Sequence, residues 1–423
     1  MRTLYVVVLF IFNSGISLAA LFGNRKAQLW IQGRKNWEEK IKNSLVKAGK
    51  RRIWFHCASL GEFEQGRPLI EKLKSNDPSL FIVLSFFSPS GYELRKNYTK
   101  ADLVCYLPND TRRNANKFIN LVSPSYAVFI KYEFWLHYFE EAKRKNVPLF
   151  MVSVLFRPSQ FFFKWYGSFY RKILKNVNHF FVQDTNSSKL LASYGFNNTS
   201  ITGDTRFDRV HAITLEENKN AILEKFKQND RLFIAGSTWP EDEDIFLPAL
   251  KDLKLKNIKI VIAPHEVTEK RIQEIIKNVS KYFDPSEIIC YSSDSDPEIA
   301  GVLIIDNIGI LSSVYRYGTI AWIGGGFGKG IHNILEAAAY GMPVIFGPEY
   351  KKFREAVELI SLGGAFAVNN LEEAKHKLTE LAGDVQKIKQ SAMISSSYVT
   401  SKLGATDKIL TLLPAINLIP VIG

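Results

Sequence analysis

Residues 53–74 read IWFHCASLGEFEQGRPLIEKLK and contain a clear indication of the fold class. An apolar run, Ile53–Ala58, is followed by the turn Ser59-Leu60-Gly61-Glu62 and by a helical stretch, Phe63–Lys74. The run is continuously apolar rather than alternating, which is typical of a parallel strand covered on both faces. A strand, a tight turn and a helix in this order predict the first half of a βαβ unit.

The same rhythm recurs along the rest of the chain. In the first half, the further predicted elements are strands Phe81–Phe86, Leu103–Leu107, Ala127–Lys131, Leu149–Val154 and Phe180–Gln183 and the helix Leu136–Lys145. A polar stretch without a strong strand, Thr205–Asn220, then interrupts the pattern. In the second half, the predicted elements are the strands Leu232–Ala235, Ile258–Ala263, Ile288–Tyr291, Val302–Ile305, Ile320–Ile323, Pro343–Phe346 and Ala365–Val368 and the helices Thr268–Val279 and Leu371–Leu381.

This order predicts an α/β fold with two doubly wound, Rossmann-like domains. A length of 423 residues is enough for two such domains. We place the first at residues 24–210 and the second at 211–423, after an amino-terminal segment, 1–23. Ligands of open α/β sheets bind outside the carboxyl ends of the strands, so we expect the site in a cleft between the two domains.

The composition is that of a globular protein, with 46% hydrophobic and 23% charged residues, which excludes a disordered, collagen-like or many-span membrane chain. The 55 Lys and Arg exceed the 42 Asp and Glu, and the excess is concentrated in residues 23–52, where ten basic residues face two acidic ones for a net charge of +8. The basic residues are Arg25, Lys26, Arg34, Lys35, Lys40, Lys42, Lys47, Lys50, Arg51 and Arg52. Cys57, Cys105 and Cys290 form no CxxC pair, which fits a reducing compartment.

An uncharged run of 19 residues, Leu4–Phe22, precedes the basic stretch. As a helix it measures about 28 Å, close to the hydrocarbon thickness of a bilayer. The basic flank opposes export, so we favour a membrane anchor that leaves the body on the cytoplasmic side of the inner membrane. We expect Trp30 and Trp37 to lie at the membrane interface.

Two other interpretations of this run stay open. Ser17-Leu18-Ala19 resembles a signal-peptide cleavage site. Asn13, Ser14 and Gly15 interrupt the apolar character, which is compatible with a helix lying in the interface instead of crossing the bilayer.

Three polar positions in the first domain are candidates for chemistry. Glu62 follows the first strand at the start of a helix, and Glu133 follows the strand Ala127–Lys131. Two carboxylates at one sheet edge suit a general base and a group that perturbs its pKa, although each is also a common residue in a first helical turn. Arg206, in the turn Thr202–Asp208, is either a fixed cation for the site or part of a solvated turn.

The second domain offers two phosphate-type turns. Ala235-Gly236-Ser237-Thr238 follows a strand and precedes an acidic helix start. Trp322–Glu336 reads as a strand, a loop with five glycines in seven positions and a helix whose Asn333 and Glu336 share one face. The loop fits neither a Walker motif nor a dinucleotide fingerprint.

Metal chemistry has little support in the sequence. The seven histidines show neither HExxH nor HxH spacing. Asp294-Ser295-Asp296 has the DxD form that some glycosyltransferases use for a cation, but it lies in a Ser/Asp/Pro-rich stretch that predicts a solvated loop.

Taken together, these segments resemble the Kdo transferases of lipopolysaccharide synthesis, which move 3-deoxy-D-manno-octulosonic acid (Kdo) from CMP-Kdo to the lipid A precursor, lipid IVA. The resemblance rests on the apolar amino terminus, the stretch 29–35, Ala58–Glu62, Tyr132–Trp135, Thr202–Asp208, Gly236–Thr238, Gly324–Glu336 and Gly341–Pro348. It implies the GT-B architecture, two facing Rossmann-like domains with the nucleotide in the second.

The resemblance also implies roles for individual residues. Glu62 would be the general base, Glu133 a stabilising or orienting carboxylate and Arg206 a cation where the family usually has lysine. The CMP-binding residues would be Ser237, Thr238, Pro264, His265, Ile308, Gly309, Ile310, Asn333, Ile334, Leu335 and Glu336. The family commonly has arginine after the proline, whereas this chain has His265.

These roles describe an inverting single displacement that needs no metal or other cofactor, since helix amino ends and fixed cations can stabilise a CMP leaving group. The implied partners are CMP-Kdo, the lipid A precursor and inner-membrane lipids. The aromatic run 161–166 would help to bring the site to the membrane, unless it is a packed helix face. Nucleic acid is not an expected partner, because the basic residues cluster beside the apolar run instead of along a groove with stacking aromatics. The alternatives are a membrane-associated GT-B enzyme that uses a UDP-sugar, and a non-catalytic glycolipid- or nucleic-acid-binding protein.

Overall fold

The computed structural model describes residues 1–46, 49, 51–217, 219–251 and 258–413, and the chain divides into two compact units. Unit 1 contains Met1–Arg209 and the segment that begins at Leu403, and unit 2 contains Val210–Lys402. The two units meet in sequence next to the predicted boundary, but residues 403–413 belong to unit 1 and not to the second domain in which the sequence analysis placed them. Lys47, Lys50 and Asn218 lie outside the described residues.

Unit 1 is built on a parallel sheet, seven-stranded in the described chain, with the order β3-β2-β1-β4-β5-β6-β7. The strands are β1 (Arg52–Cys57), β2 (Phe81–Phe86), β3 (Leu103–Tyr106), β4 (Tyr126–Ile130), β5 (Leu149–Val154), β6 (His179–Val182) and β7 (Thr199–Ile201). The helices are α1 (Arg2–Leu21), α2 (Arg25–Arg34), α3 (Trp37–Leu45), α4 (Leu60–Asn76), α5 (Pro89–Arg95), α6 (Arg112–Val122), α7 (Leu136–Arg144), α8 (Ser168–Leu174) and α9 (Thr185–Ala192), and α10 (Thr205–Leu215) leads into unit 2.

Both faces of this sheet are covered, as the continuous apolar strands predict. In β1, Trp54 belongs to the core on one face, whereas Ile53 and Phe55 belong to the core on the other. All three side chains are buried. The helices between the strands supply the covering residues, for example Phe118 of α6 on one face and Leu69 of α4 on the other.

Unit 2 has the same architecture, with the strand order β10-β11-β9-β8-β12-β13-β14 in its described part. The strands are β8 (Arg231–Thr238), β9 (Ile258–Pro264), β10 (Ile288–Cys290), β11 (Val302–Ile304), β12 (Ile320–Ile323), β13 (Val344–Phe346) and β14 (Ala365–Ala367). The helices are α11 (Ala221–Lys227), α12 (Pro240–Leu250), α13 (Glu269–Val279), α14 (Leu311–Val314), α15 (Leu335–Ala339), α16 (Arg354–Leu362), α17 (Leu371–Gly383) and α18 (Val385–Thr400). The predicted α/β class with two Rossmann-like doubly wound sheets is confirmed.

The described part of the carboxyl-terminal segment returns to unit 1 and forms α19 (Ala405–Leu412). Ile409 and Leu413 are buried in the same core as Phe55. Asp208 fixes the start of this segment, because its carboxylate accepts hydrogen bonds from the backbone N–H groups of Gly404 at 2.7 Å and Thr406 at 2.6 Å. Residues 403–413 are therefore part of unit 1, and Ile409 and Leu413 complete its core.

The basic stretch forms two helices, α2 and α3, whose tryptophans pack against the rest of unit 1. Trp30 is buried beneath the guanidinium of Arg34, 3.9 Å from the ring centroid, and Trp37 packs against Phe118 with 6.1 Å between ring centroids. Arg34 donates hydrogen bonds to the carbonyl oxygens of Leu107, Trp30 and Phe87, and its burial lowers its pKa to about 9. This arginine holds α2 on unit 1, so not all of the basic residues face solvent.

Candidate functional site

The strand order of unit 1 places both predicted carboxylates at one point of its sheet. From β1 the chain continues to β2 and β3 on one side, and it then crosses to β4 on the other side. Glu62 lies in α4 just after β1, and Glu133 lies just after β4. Adjacent strands that lead away in opposite directions leave a crevice outside their carboxyl ends, the usual ligand site of such sheets.

Glu62 is the third residue of α4 and forms a capping box with Ser59, the residue before the helix. Oε2 of Glu62 accepts hydrogen bonds from the Ser59 backbone N–H at 2.9 Å and from the Ser59 hydroxyl at 3.2 Å. Burial and, after it, the negative charge of Glu133 raise the pKa of Glu62 from 4.5 to about 7, against the opposing effects of Ser59 and Lys131. A carboxyl group with this pKa can take up or release a proton near neutral pH.

Glu133 lies beside a buried histidine of β1. Its Oε2 is 3.7 Å from Nε2 of His56, and the indole N–H of Trp135 donates to the same nitrogen at 3.3 Å. Since an indole N–H can only donate, Nε2 accepts and the proton of the neutral ring is on Nδ1, which is 2.9 Å from the Ser85 hydroxyl oxygen. These bonds fix the imidazole against the Glu133 side of the site.

His56 and Lys131 are site residues that the sequence analysis missed. His56 is a polar residue inside an apolar strand, and a buried polar group in such a place requires hydrogen-bonding partners. Lys131 has a backbone φ of 60°, a left-handed conformation that is uncommon for lysine and marks the tight exit from β4. The signal for His56 is visible in the sequence, whereas the backbone conformation of Lys131 is visible only in the structure.

Arg206 is at the start of α10, near the same edge of unit 1. Its Nε is 2.8 Å from Oδ2 of Asp204, and its backbone N–H donates to Oδ1 of that residue at 2.9 Å. Both Asp204 and Arg206 influence the Tyr132 hydroxyl electrostatically, and burial is the main reason why the pKa of that hydroxyl is raised. Arg206 therefore lies near the Glu133 turn as a cation held by Asp204.

The candidate nucleotide residues of unit 2 follow the same pattern. The chain leaves β8 for β9 on one side and later returns to β12 on the other side, so β8 and β12 flank the corresponding crevice. The structure places Ser237 and Thr238 at the end of β8, Pro264 and His265 at the end of β9, Ile308, Gly309 and Ile310 between β11 and α14, and Asn333, Ile334, Leu335 and Glu336 at the start of α15. All of them lie at the carboxyl edge of the sheet.

A buried polar network supports the end of β8. The backbone N–H of His265 donates to the Thr238 carbonyl oxygen at 3.0 Å, and the Thr238 hydroxyl donates to Glu243 of α12 at 2.9 Å. Glu243 is also paired with Arg271 of α13, and both side chains are buried. The side chain of Thr238 is thus held in place by Glu243. Ser237, the residue before it, has a left-handed backbone conformation with a φ of 55°.

The glycines of the loop after β12 are required by close backbone contacts. A Cβ atom on Gly324 would lie 2.2 Å from the Ser237 carbonyl oxygen, and one on Gly326 would lie 2.5 Å from the backbone nitrogen of Gly347. Asp242 connects this loop to β8, because its Oδ2 accepts from the N–H groups of Gly325 at 2.8 Å and Trp239 at 2.9 Å. The loop therefore lies directly against the turn after β8.

The rings of Trp239, His265 and His332 stack beside this loop. Of these three, only His265 was predicted from the sequence as a binding residue. The ring centroids of His265 and His332 are 4.2 Å apart, and those of Trp239 and His265 are 4.8 Å apart. The indole N–H of Trp239 donates to Nε2 of His332 at 3.0 Å. Burial, with a contribution from His265, lowers the pKa of His332 to about 4, so His332 is neutral at pH 7.

Four of the predicted CMP-binding residues lie at the start of α15, and only Asn333 and Glu336 among them have side chains that are not buried. The amide of Asn333 donates to Glu336 at 3.0 Å, and its carbonyl oxygen accepts from the backbone N–H of Leu335 at 3.1 Å. Ile334 and Leu335 have buried side chains, so only their backbone is available to a ligand. Ile308 is exposed, and Gly309 next to it has a φ of 92°.

Among the residues that the structure describes, no group of three or more His, Cys, Asp or Glu side chains could hold a metal ion. Asp294 and Asp296 lie in an exposed turn, where Asp296 accepts a hydrogen bond from the backbone N–H of Glu298 at 3.1 Å. This is the solvated loop that the sequence predicts. Metal independence itself stays a prediction.

Comparison with known proteins gives the family. Residues 35–209 match the family model described as 3-deoxy-D-manno-octulosonic-acid transferase (kdotransferase). A 3-deoxy-D-manno-octulosonic acid transferase of Rickettsia bellii is 30% identical over 304 residues, which are 71% of this chain and 72% of the relative. One of Aquifex aeolicus is 28% identical over 360 residues, 83% of this chain and 90% of the relative.

Solved structures with low sequence identity show the fold. A putative UDP-N-acetylglucosamine 2-epimerase from Listeria monocytogenes superposes with a TM-score of 0.61 at 13% identity, over 87% of this chain and 96% of that one. Two parallel-sheet α/β units of this kind are the GT-B architecture. The relatives, the family model and the fold agree: the chain belongs to the family of Kdo transferases, glycosyltransferases of lipopolysaccharide biosynthesis.

Proposed function

We propose that the chain transfers Kdo from CMP-Kdo to lipid IVA, the lipid A precursor, in an inverting single displacement with Glu62 as the general base. The observation that carries this proposal is the state of Glu62. It lies at the switch point of unit 1, and burial beside Glu133 raises its pKa to about 7. A base with a pKa near the working pH combines a large deprotonated fraction with a useful proton affinity.

In this reaction the acceptor hydroxyl oxygen attacks the anomeric carbon of Kdo and gives its proton to Glu62. The bond from that carbon to the phosphate oxygen breaks, and its electron pair leaves with CMP. Glu133 keeps the proton affinity of Glu62 high, and His56 and Trp135 hold the Glu133 side of the site. We assign Arg206, held by Asp204, to the same edge as a cation for the anionic sugar.

The donor would bind to unit 2. Ser237, the glycine-rich loop and Asn333 offer hydroxyl, backbone N–H and amide groups to the phosphate and sugar, and His265, which stacks on both Trp239 and His332, is exposed. CMP carries a single phosphate, so neutral donors and helix amino ends suffice for its charge without a metal ion. The bond that supports Thr238 from Glu243 keeps this edge in place.

We further propose that the enzyme works at the cytoplasmic face of the inner membrane, where its amphiphilic acceptor is held. In the described residues, α1 is the one helix long and apolar enough to cross a membrane. Arg25, Lys26 and Lys35 after it are exposed and can bind anionic lipid head groups.

The proposal is tested by the identity of donor and product. Calorimetric titration of the purified protein is expected to show binding of CMP and weaker binding of UDP, and a preference for UDP would favour a UDP-sugar transferase. Incubation with CMP-Kdo and lipid IVA should release CMP and raise the mass of the lipid by whole Kdo units. A lipid of unchanged mass in the presence of bound CMP would contradict the acceptor assignment.

Gly324→Ala is expected to weaken CMP binding by about tenfold or more and to destabilise unit 2 by roughly 1–3 kcal/mol. The new Cβ atom would lie 2.2 Å from a backbone oxygen of the β8 turn, so the ends of β8 and β12 must separate. Titration calorimetry with CMP and thermal unfolding measure the two effects. Gly328→Ala in the same loop is the control, because its nearest contact would be an ordinary 3.7 Å.

Glu133→Gln is expected to move the acidic limb of the kcat/KM profile to lower pH. The negative charge of Glu133 helps to raise the pKa of Glu62 to about 7, so removing it lets Glu62 lose its proton at a lower pH. A pH–rate profile of both proteins measures the midpoint. Glu93→Gln serves as the control, and an unchanged midpoint in Glu133→Gln would disprove the coupling.

A further inference from the structure

We infer that α1 does not cross the membrane but lies along its surface, with one face on unit 1 and the opposite face among the acyl chains of one leaflet. This inference concerns the first 22 residues and stands independently of the proposed donor and acceptor. It decides between the spanning and interfacial alternatives that the sequence leaves open.

The amino-terminal end of α1 is attached to unit 1 by polar bonds. The Tyr5 hydroxyl donates to Oδ2 of the buried Asp110 at 2.5 Å and accepts from the backbone N–H of Leu136 at 3.4 Å. Arg2 forms an ion pair of 2.7 Å with Glu140 of α7. These partners belong to the folded body of unit 1, so this end of the helix cannot lie on the far side of a bilayer from it.

The middle and the carboxyl end of α1 are attached as well. The ring of Phe12 stacks on Phe87 at 6.0 Å and meets the edge of Trp30 at 6.2 Å. The side-chain amide of Gln28 donates to the Ala20 carbonyl oxygen at 3.1 Å. A helix of 20 residues, about 30 Å long, is thus held to one body along its whole length.

A spanning orientation would conflict with these contacts. If α1 crossed the hydrocarbon while attached in this way, the surface of unit 1 beside it would enter the bilayer too. That surface includes the ion pair of Arg2 and Glu140 and the carboxylate of Asp110. Charged groups at the bilayer centre are strongly unfavourable, whereas an interfacial helix leaves them at the aqueous side.

The two faces of α1 differ as an interfacial helix requires. The half-buried positions are Tyr5, Leu9, Asn13, Ile16, Ala19 and Ala20, which follow one another at helical spacing on the side of unit 1. The rest of the helix surface presents large apolar residues to the outside, among them Leu4, Val7, Val8, Phe10, Ile11, Leu18 and Leu21. Asn13, which interrupts the apolar run, therefore lies in the stripe that faces the protein.

An apolar groove lies beside the protein-facing stripe of α1. It has a volume of about 480 Å³ and lies between α1, α2 and the start of α5, and its lining includes Phe12, Ile16, Ala19, Trp30 and Pro89. Lys26 is also part of the lining. We assign an acyl chain of the same leaflet to this groove, because its walls are nearly all carbon and an adjacent lysine suits the phosphate of a lipid head group.

Exposed aromatic residues extend the surface beyond the amino-terminal end of α1. Trp165 is 92% exposed, and Phe161 and Tyr166 are also exposed. Phe161 connects to α1 through Tyr170, at 4.3 Å, and Phe169, whose ring lies 6.3 Å from Tyr5. Three of the five aromatic residues in the predicted run thus face outward, as in the aromatic belts of membrane interfaces, while Phe162 and Phe163 are buried.

This surface also lies close to the candidate base. Phe87, under Phe12 of α1, packs against Trp135 with 4.8 Å between ring centroids, and Trp135 bonds to His56 beside Glu133. An in-plane α1 therefore holds the carboxyl edge of unit 1 next to the head-group layer.

Sided cysteine labelling tests the inference in the full-length protein. Thr3→Cys and Arg25→Cys place reporters at exposed positions near the two ends of α1, and the parent chain with its three native cysteines gives the baseline. A membrane-impermeant maleimide is applied to spheroplasts and to inverted inner-membrane vesicles. We expect both reporters to react in inverted vesicles and neither to react in spheroplasts.

Other patterns have definite meanings. Reaction of Thr3→Cys in spheroplasts together with Arg25→Cys only in inverted vesicles would show a spanning helix and overturn the inference. Reaction of both in spheroplasts would support the in-plane helix and contradict the proposed cytoplasmic location instead.

A second measurement addresses the outward face. Val8→Glu is expected to weaken binding to phosphatidylethanolamine–phosphatidylglycerol vesicles roughly tenfold or more, since it loses apolar burial and adds a charge. Met393→Glu, at an exposed apolar position in unit 2, is the matched control and should bind like the parent. Equal binding of Val8→Glu and the parent would overturn the assignment of this face.

Discussion

Replacing Glu62 by glutamine is expected to lower the rate of Kdo transfer by about 10²–10⁴-fold, the usual contribution of a positioned general base. The amide retains an oxygen that can accept the Ser59 hydrogen bonds, so the capping box and the fold should persist. Release of CMP under single-turnover conditions measures the loss. Glu64→Gln is the matched control, because Glu64 lies two residues away in α4 and pairs with Arg95 and Arg209.

The same substitution is expected to stabilise the protein at alkaline pH. The pKa of Glu62 is raised in the folded state, so the folded protein holds this proton more tightly than the unfolded chain, and stability falls as pH rises from 4.5 to about 7. Above pH 7 the penalty is fully present and amounts to at most about 3 kcal/mol. Glu62→Gln removes it, so the Tm of the variant should exceed that of the parent at pH 8, and the difference should narrow towards pH 4.5.

These two effects distinguish a base from a structural residue. A glutamate that only caps α4 would lose both activity and stability when replaced, and a variant that keeps the full rate would remove Glu62 from the catalytic role. Loss of activity with a gain in alkaline stability is the combination expected of a carboxylate that the fold destabilises for the sake of proton transfer.

Arg271→Met is expected to destabilise unit 2 by about 3–5 kcal/mol. The fully buried Glu243 would lose its cationic partner, so its carboxylate would be an unpaired buried charge next to Thr238. Chemical denaturation that follows the tryptophans of unit 2 measures the change. CMP binding should weaken in parallel, since Thr238 depends on the same carboxylate.

The control for this variant is Arg354→Met. Arg354 pairs with Glu358 at 2.6 Å within α16 but is more than half exposed, so its replacement should change stability by no more than about 1 kcal/mol. The double variant Arg271→Met with Glu243→Met should recover much of the stability, because a buried pair can be exchanged for apolar side chains at little loss. Equal stability of Arg271→Met and the parent would contradict the structural role of the pair.

The sequence was informative wherever burial leaves a periodic pattern. Strands covered on both faces are continuously apolar, and Phe81–Phe86, Leu149–Val154 and Ile320–Ile323 occur with the bounds that were predicted. The edge strand Thr199–Ile201 was missed, because a short edge strand is partly exposed and needs no apolar run. The polar stretch from Thr205 was not recognised as α10 for a similar reason.

The positions of site residues that directly follow a strand could be predicted from the sequence. Glu62 and Glu133 could be placed at one edge because each follows a strand, but the pairing order that makes those strands neighbours is a tertiary property. The partners Glu243 and Arg271 were not found, since a buried ion pair between two helices leaves no local signal. The burial of Trp30 under Arg34 could not be predicted either, because aromatic residues beside basic ones also suit a membrane interface.

The return of the chain to unit 1 has a consequence for biosynthesis. Ile409 and Leu413 fill the core beside Phe55, yet they are translated only after all of unit 2. The ribosome therefore synthesises all of unit 2, residues 210–402, before it adds Ile409 and Leu413. Until then, the core of unit 1 lacks these two side chains, and its apolar residues around Phe55 stay exposed. We expect this late closure to make unit 1 the part of the protein that depends on chaperones during synthesis.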